Sequence, residues 1–423
     1  MKIMHTSDWH LGQSFYGKSR APEHKLFFNW LIEQVKTHNV DAIIVAGDIF
    51  DTGTPPSYAR ELYNQFVVDL QRTRCQLVIL AGNHDSVATL NESKQLFSYL
   101  NTHLLAGVDT NDIDAQLVEL GQVDNKLQSM VKVGALVCAI PYIRPRDIVS
   151  SQAGQSGRDK QQSLQQAIAE HYQALYQKAQ ARVAKLGYPV PIIMTGHLTT
   201  LGASTSDSVR DIYIGTLDAF PANAFPPADY IALGHIHRSQ CVAKSEHIRY
   251  SGSPIALSFD ELNRAKTVNL VEFTQAELSH VTPLEVPEFQ SMQTIKGNLA
   301  TIAERLAEFE EAEPNEPVTW LDIEVSEQDY LSDLQTRIES LSANRPVEVL
   351  VIRRKKNVNQ SNLQQQEKET LAELTAHDVF ERRLALEKIN DAVDEKQTDQ
   401  LKRLRLLFDQ SVQDVTHEQE PNA

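Results

Sequence analysis

Short apolar runs alternate along the first part of the chain with segments in which apolar residues recur every three or four positions. Residues 2–6, 42–46 and 77–81 read as strands, and residues 23–38 and 58–70 as amphipathic helices. That βαβαβ rhythm predicts an α/β domain with a largely buried sheet. Further strands are expected at 135–140, 191–195, 230–233 and 267–273. A long helix is expected at 161–185, preceded by a polar loop at 152–159.

After about residue 275 the pattern changes. Residues 318–325 alternate as a strand, 331–341 as a helix and 347–352 as a strand, a small βαβ-type unit. It ends in Arg353-Arg354-Lys355-Lys356, which reads either as a solvated strand end or as a phosphate contact. From residue 357 the chain is polar and Gln-rich. Asp378 with Glu381 then marks a helix start. Val379, Leu386, Ile389 and Val393 form one apolar stripe, and Leu401, Leu404, Phe408, Val412 and Val415 a second. Such stripes either pack on their own domain or dock on a partner helix. The expected organisation is a large α/β domain at 1–274, an α+β cap at 275–356 and a helical tail at 357–423, with no internal repeats.

Composition narrows the class. A chain of 423 residues predicts two or three domains. No run of apolar residues is long enough for a membrane span, and the first residues lack the apolar core of a secretory signal. The three cysteines, Cys75, Cys138 and Cys241, are widely spaced and read as thiols in a reducing compartment, so a cytoplasmic protein is expected. The net charge of −16 argues against a broad basic footprint for nucleic acid. Many acids lie in the last third, however, and bound divalent cations would dominate the local charge at a site.

Five short motifs carry candidate chemistry, each where a predicted strand ends, and ligands of open α/β sheets gather at such ends. Asp8-Trp9-His10 sets a carboxylate and an imidazole two apart, so in an extended segment both point one way. Gly47-Asp48-Ile49-Phe50-Asp51 places Asp48 at a strand tip after a permissive glycine, where one carboxylate can bridge two ions. Gly82-Asn83-His84-Asp85 offers an amide oxygen beside an imidazole. Gly196-His197 and Gly234-His235-Ile236-His237 add three histidines, the last two again expected to point one way. Singly, each is as readily a turn, a cap or a structural histidine. Together they make a mixed imidazole, carboxylate and amide set that suits manganese, iron or zinc.

The order of these motifs resembles the calcineurin-like metallophosphoesterase superfamily. Within it, Met1 to Gly12 and Gly47 to Gly53 resemble the nuclease subunit of bacterial complexes that pair such a phosphoesterase with an SMC-like ATPase. The resemblance implies a nuclease domain built as a β-sandwich flanked by helices, a small cap domain facing DNA and a C-terminal helical tail that binds the ATPase. It implies two divalent metal ions, most simply manganese. Asp8, His10, Asp48 and His237 would hold one ion, and Asp48, Asn83, His197 and His235 the other. His84 would stand outside the metals as transition-state stabiliser or general acid. Archaeal and eukaryotic relatives often carry a second active-site histidine where this chain has Asp51. The implied activity is DNA cleavage, by exonuclease action on double-stranded ends and endonuclease action on hairpin or single-stranded DNA, in repair, recombination and replication. The implied assembly is a homodimer within a heterotetramer.

Two rival readings remain at this level. Protein phosphatases of the superfamily carry arginine after the second aspartate to grip a dianionic phosphoryl group, whereas here Asp51 is followed by Thr52 and Gly53. A non-catalytic scaffold that tethers DNA ends has no use for seven ligands. ATP use would have to come from a partner, because the chain has no P-loop run. Arg144, Arg146 and Arg238 flank the motifs and are candidate phosphate contacts.

Overall fold

The computed structural model describes residues 1–110, 112–124, 129–149, 157–201, 203–204, 209, 219–309, 318–326 and 334–354. The described residues all belong to one compact unit, and the two apolar stripes of the tail lie outside the described residues.

The first half begins with β1 (Lys2–Thr6), a short hairpin of β2 (Ser14–Phe15) and β3 (Lys18–Ser19), and α1 (Ala21–His38). It continues through β4 (Ala42–Ala46), α2 (Ser57–Gln71), β5 (Gln76–Leu80), α3 (Val87–Asn91), α4 (Lys94–Ser98) and β6 (Thr102–Leu105). Then come β7 (Leu117–Asp124), β8 (Ser129–Cys138), α5 (Pro145–Ile148), α6 (Gly157–Leu186), β9 (Ile192–His197) and β10 (Tyr230–Gly234). The hairpin β11 (Gln240–Val242) and β12 (Ser245–Tyr250) precedes a second one, β13 (Thr267–Thr274) and β14 (Glu277–Glu285). Residues 157–159, expected in a loop, are helical: α6 starts earlier than its apolar pattern, because a helix's backbone hydrogen bonds do not require an apolar face in its first turn.

These strands build two six-stranded sheets, ordered β14-β13-β1-β4-β5-β6 and β11-β12-β10-β9-β8-β7. The sequence rhythm alone suggested one sheet; the sandwich implied by the family resemblance is the observed fold. The central strands are parallel, β1 with β4, β5 and β6, and β8 with β9, β10 and β12. Alternation within strands sorts side chains to two sides. Ile44, Ala46, Val78 and Leu80 meet Ile193, Tyr230 and Ala232 between the sheets. Ile43, Val45, Leu77 and Ile79 face Phe27, Leu31, Phe66 and Leu70 of α1 and α2. On the opposite side, Leu164, Ile168, Tyr172 and Leu175 of α6 cover the second sheet. Burial on both faces is why β4, Ala-Ile-Ile-Val-Ala, is apolar throughout.

A three-stranded parallel sheet follows, ordered β15 (Met292–Gly297), β16 (Thr319–Val325) and β17 (Val347–Arg354). Helices α7 (Leu299–Ala307) and α8 (Leu334–Ser342) pack on it through Ile302, Leu306 and Ile338, a core separate from the sandwich. The strand β15 and helix α7 have no counterpart in the sequence reading. The guanidinium of Arg353 grips the buried Asp322 carboxylate with two nitrogens, while Lys355 and Lys356 of the basic run lie outside the described residues.

The two large sheets approach each other closely at the ends of β4 and β10. A Cβ at Gly234 would lie 1.8 Å from the Ala46 carbonyl oxygen, a backbone atom that cannot swing aside. Gly234→Ala is therefore expected to destabilise the protein at the upper end of about 1–3 kcal/mol. A denaturant melt with an unchanged midpoint would contradict this packing.

Candidate metal centre

Four of the candidate ligands sit in left-handed backbone. Asp8 has φ 55°, His10 φ 47°, Asp48 φ 51° and His235 φ 94°. Such conformations cost of order 1–3 kcal/mol each in residues other than glycine, and they persist only where the surroundings enforce them. Here backbone hydrogen bonds do so: Asp8 N–H donates to the Gly47 carbonyl at 3.0 Å and His10 N–H to the Asp48 carbonyl at 3.1 Å. His24 on α1 adds a bond between Nε2 and the Trp9 carbonyl at 2.7 Å. This geometry corrects the expectation that Asp8 and His10 converge through strand alternation. The strand ends at Thr6, and a sharp turn brings them together instead.

The side chains meet in three overlapping groups: Asp8, His10 and His237; His10, Asp48 and His84; Asp48, His197 and His235. Within each group the ligand atoms lie within 4.8 Å of one another. Asp48 Oδ2 is 3.2 Å from His197 Nε2 and 3.6 Å from His10 Nε2. Asn83 Oδ1 lies 2.9 Å from His197 Nε2. The strand β9 runs on through His197 itself, whereas the sequence reading stopped it at residue 195. His235 and His237 join different groups, against the expectation that they point one way, because the left-handed turn at His235 breaks the alternation.

Further groups fix these side chains. The carbonyl of Ala46 takes His197 Nδ1–H at 2.9 Å, and Asp51 Oδ1 lies 3.2 Å from His10 Nδ1. In both cases the Nε2 atom is turned to the site. His235 N–H and the Ser7 hydroxyl both donate to Asp8. His84, half-buried, donates its backbone N–H to Asp48 Oδ1 at 2.9 Å and pairs its Nδ1 with the Asp51 carbonyl at 2.7 Å. Gly47 and Gly82 leave necessary room: a Cβ would lie 2.1 Å from His197 Nδ1 in the first case and 2.1 Å from Asp48 Oδ1 in the second.

Three contributors escaped the sequence reading. Asp85, inside a quoted motif, accepts the N–H groups of Ile49, Phe50 and Gly82 and so ties two ligand loops together. Burial, with Asp48 nearby, raises its carboxyl to about 6. Glu261, with Oε1 3.4 Å from His237 Nδ1, and Lys266 come from a loop without any motif, so no local signal could have found them. Of the flanking arginines, Arg144 Nη2 donates to the Asp85 carbonyl and Arg238 Nη1 to Ser204 Oγ, while Arg146 is exposed beside Asp147.

Divalent cations fit this donor set. His10 Nε2 is buried with no hydrogen-bond partner, which is costly unless another species satisfies it. Burial alone would raise the Asp48 carboxyl, but His197, His10 and His84 hold it well below the usual range. His235 is pushed well down by burial and by His197, so it offers a neutral nitrogen. Burial disfavours the charge on His197, yet Asp48 outweighs it and raises the imidazole to about 9. Metal binding needs the neutral ring. Affinity for a divalent ion should therefore rise as the pH climbs from 6 toward 9, and binding at neutral pH should release protons. Calorimetry in two buffers of different ionisation heat measures that release; pH-independent affinity would contradict it.

The calcineurin-like phosphoesterase family matches residues 1–239, and the SbcD C-terminal family, described as the type 5 capsule protein repressor C-terminal domain, matches residues 288–388. The chain is 52% identical to the SbcD polypeptide of nuclease SbcCD from Escherichia coli strain K12, over 99% of this chain and 100% of that one. It is 32% identical to the Rhodobacter capsulatus counterpart, covering 68% of this chain and 70% of that one, and 30% identical to the Bacillus subtilis counterpart, covering 78% and 81%. Among the described residues no helix is long and apolar enough to cross a membrane. Strand-end motifs around one shared carboxylate, a sandwich that joins them and full-length similarity agree: the chain belongs to the calcineurin-like phosphoesterase family, among the SbcD-type members.

Proposed function

We propose that this protein is a di-metal DNA nuclease, the catalytic component of an ATPase–nuclease complex. The observation that carries the reading is the membership of Asp48 in two ligand groups, an arrangement suited to a pair of ions sharing one carboxylate. Asp8, His10, Asp48 and His237 would hold one ion, and Asp48, Asn83, His197 and His235 the other. When bound, such a pair polarises a phosphodiester and activates water as the nucleophile. Manganese is the proposed metal.

The chain's own residues orient and move protons. Asp51 aligns His10, and the Ala46 carbonyl aligns His197. His84, braced at Nδ1 by the Asp51 carbonyl, protonates the leaving sugar oxygen. Asp51 thus serves from its backbone and side chain together, at the position where relatives often carry a second histidine. Similarity along the whole chain to the SbcD polypeptide of Escherichia coli nuclease SbcCD supports DNA as substrate, with exonuclease action on duplex ends and endonuclease action on hairpin or single-stranded DNA, in repair, recombination and replication. It supports an SMC-like partner of the SbcC type, bound through the tail at 357–423, a cap at 275–356 that faces DNA, and a cytoplasmic homodimer within a heterotetramer. The run Asp51-Thr52-Gly53 lacks the arginine that a monoesterase would use.

His84→Ala should bind metal normally and lose about a hundred- to ten-thousand-fold in rate, the usual contribution of a general acid. Purified protein with manganese, a labelled duplex and a generic phosphomonoester checks this. Cleavage of the monoester alone would overturn the substrate assignment, and full activity of the variant would remove His84 from the mechanism. Asp48→Ala should fail to hold the ion pair; stoichiometric uptake of two ions by that variant would contradict the shared carboxylate.

A further inference from the structure

His237 is held from a part of the chain that none of the motifs touches. Its ring Nδ1 lies 3.4 Å from Glu261 Oε1. Its backbone carbonyl accepts Lys266 Nζ at 3.1 Å and Ser253 N–H at 3.2 Å. Lys266 in turn pairs with Glu261 and donates to Ser253 Oγ at 2.8 Å, while Glu261 Oε2 also takes Leu257 N–H at 3.0 Å. Ring and backbone of one candidate ligand are thus gripped by one ion pair, between the buried Glu261 and the half-buried Lys266. The ring of His197 is fixed differently, by a carbonyl of β4 inside the sandwich.

The loop that carries Glu261 is also the loop that meets the three-stranded sheet. Phe259, two residues earlier, packs against Phe15 at 5.1 Å between centroids, and Phe15 stacks on Trp320 of β16 at 5.7 Å and 15°. Arg20 lies over both rings, at 4.8 Å from Phe15 and 5.7 Å from Trp320, and donates to the Ala256 carbonyl of the same loop at 2.8 Å. Lys18 pairs with Glu348 of β17. Ring contacts join Trp320 to Phe259, the short helical turn Phe259–Glu261 carries on to the carboxylate, and a carboxylate bracing a ligand histidine fixes both its tautomer and its ring plane.

We propose that Glu261 is the positioning residue for His237, and that the three-stranded sheet, through Trp320, Phe15 and Phe259, sets how firmly this one ligand is held. The inference rests on the two-ion reading above. Its consequence is asymmetric: disturbing the small sheet loosens the ion of the Asp8–His10–His237 group and spares the ion of the Asp48–His197–His235 group. A partner or DNA that shifts the small sheet would act on catalysis by that route.

The test is manganese titration of the full-length protein by calorimetry, with electron paramagnetic resonance of the loaded protein and a thermal melt of each sample. Wild type should take two ions and show the spectrum of a coupled pair. Glu261→Ala should lose about ten- to a hundredfold in affinity for one ion, keep the other, and show the spectrum of isolated manganese at limiting metal. Glu261→Gln, which keeps an oxygen acceptor, should recover most of that loss. Trp320→Ala should weaken the same ion to a smaller degree, and it carries the test should Glu261→Ala not fold. Wild-type binding of both ions in Glu261→Ala and Trp320→Ala would overturn the proposal, as would equal weakening of both ions or no rescue by glutamine. Failure of the wild type itself to take two ions would instead bring down the two-ion reading.

Discussion

A carboxylate sealed from water has to be matched by positive charge. Asp48 is 1% exposed, and His197 Nε2 and His10 Nε2 lie 3.2 and 3.6 Å from its Oδ2. Much of the surrounding structure reads as a response to that group. Gly47 and Gly82 lack side chains where any Cβ would strike His197 or Asp48. Asp85 draws in three backbone N–H groups beneath the same loops. The imidazoles that compensate the charge when the site carries protons are the groups that would bind a cation when it does not.

Strain accumulates at the same place. Asp8, His10, Asp48 and His235 all occupy left-handed backbone, and no regular element supplies such geometry. The cost is met by the sandwich. Parallel strands β1, β4, β9 and β10 are buried on both faces, and their ends converge where the two sheets touch at Gly234 and Ala46. Rigid strands therefore deliver ligands from positions 8 to 237 to one point, while the loops after them give up regular conformation to aim the donors.

The net charge of −16 and the nucleic-acid reading fit together once charge is considered locally. Among the described residues in and beside the small sheet, Arg353 is paired with Asp322 and Lys18 with Glu348. Positive potential at the reacting phosphate would come from bound metal in place of a broad basic face. Phe15, Phe259 and Trp320 cluster between the small sheet and the loop that carries Glu261.

By itself the sequence determined the local rules. Apolar runs marked β1, β4, β5, β9, β10 and β13, recurrent spacing marked α1, α2 and α6, and the motifs named Asp8, His10, Asp48, Asn83, His84, His197, His235 and His237, because strand ends, turns and ligand chemistry leave short-range signatures. Tertiary structure decided the rest. That two sheets face each other, that His235 and His237 serve different groups, that Asp51 braces two histidines, and that Glu261 reaches His237 all depend on contacts between residues far apart in the chain. Periodicity reports which face of an element is buried. It carries no record of what that face is buried against.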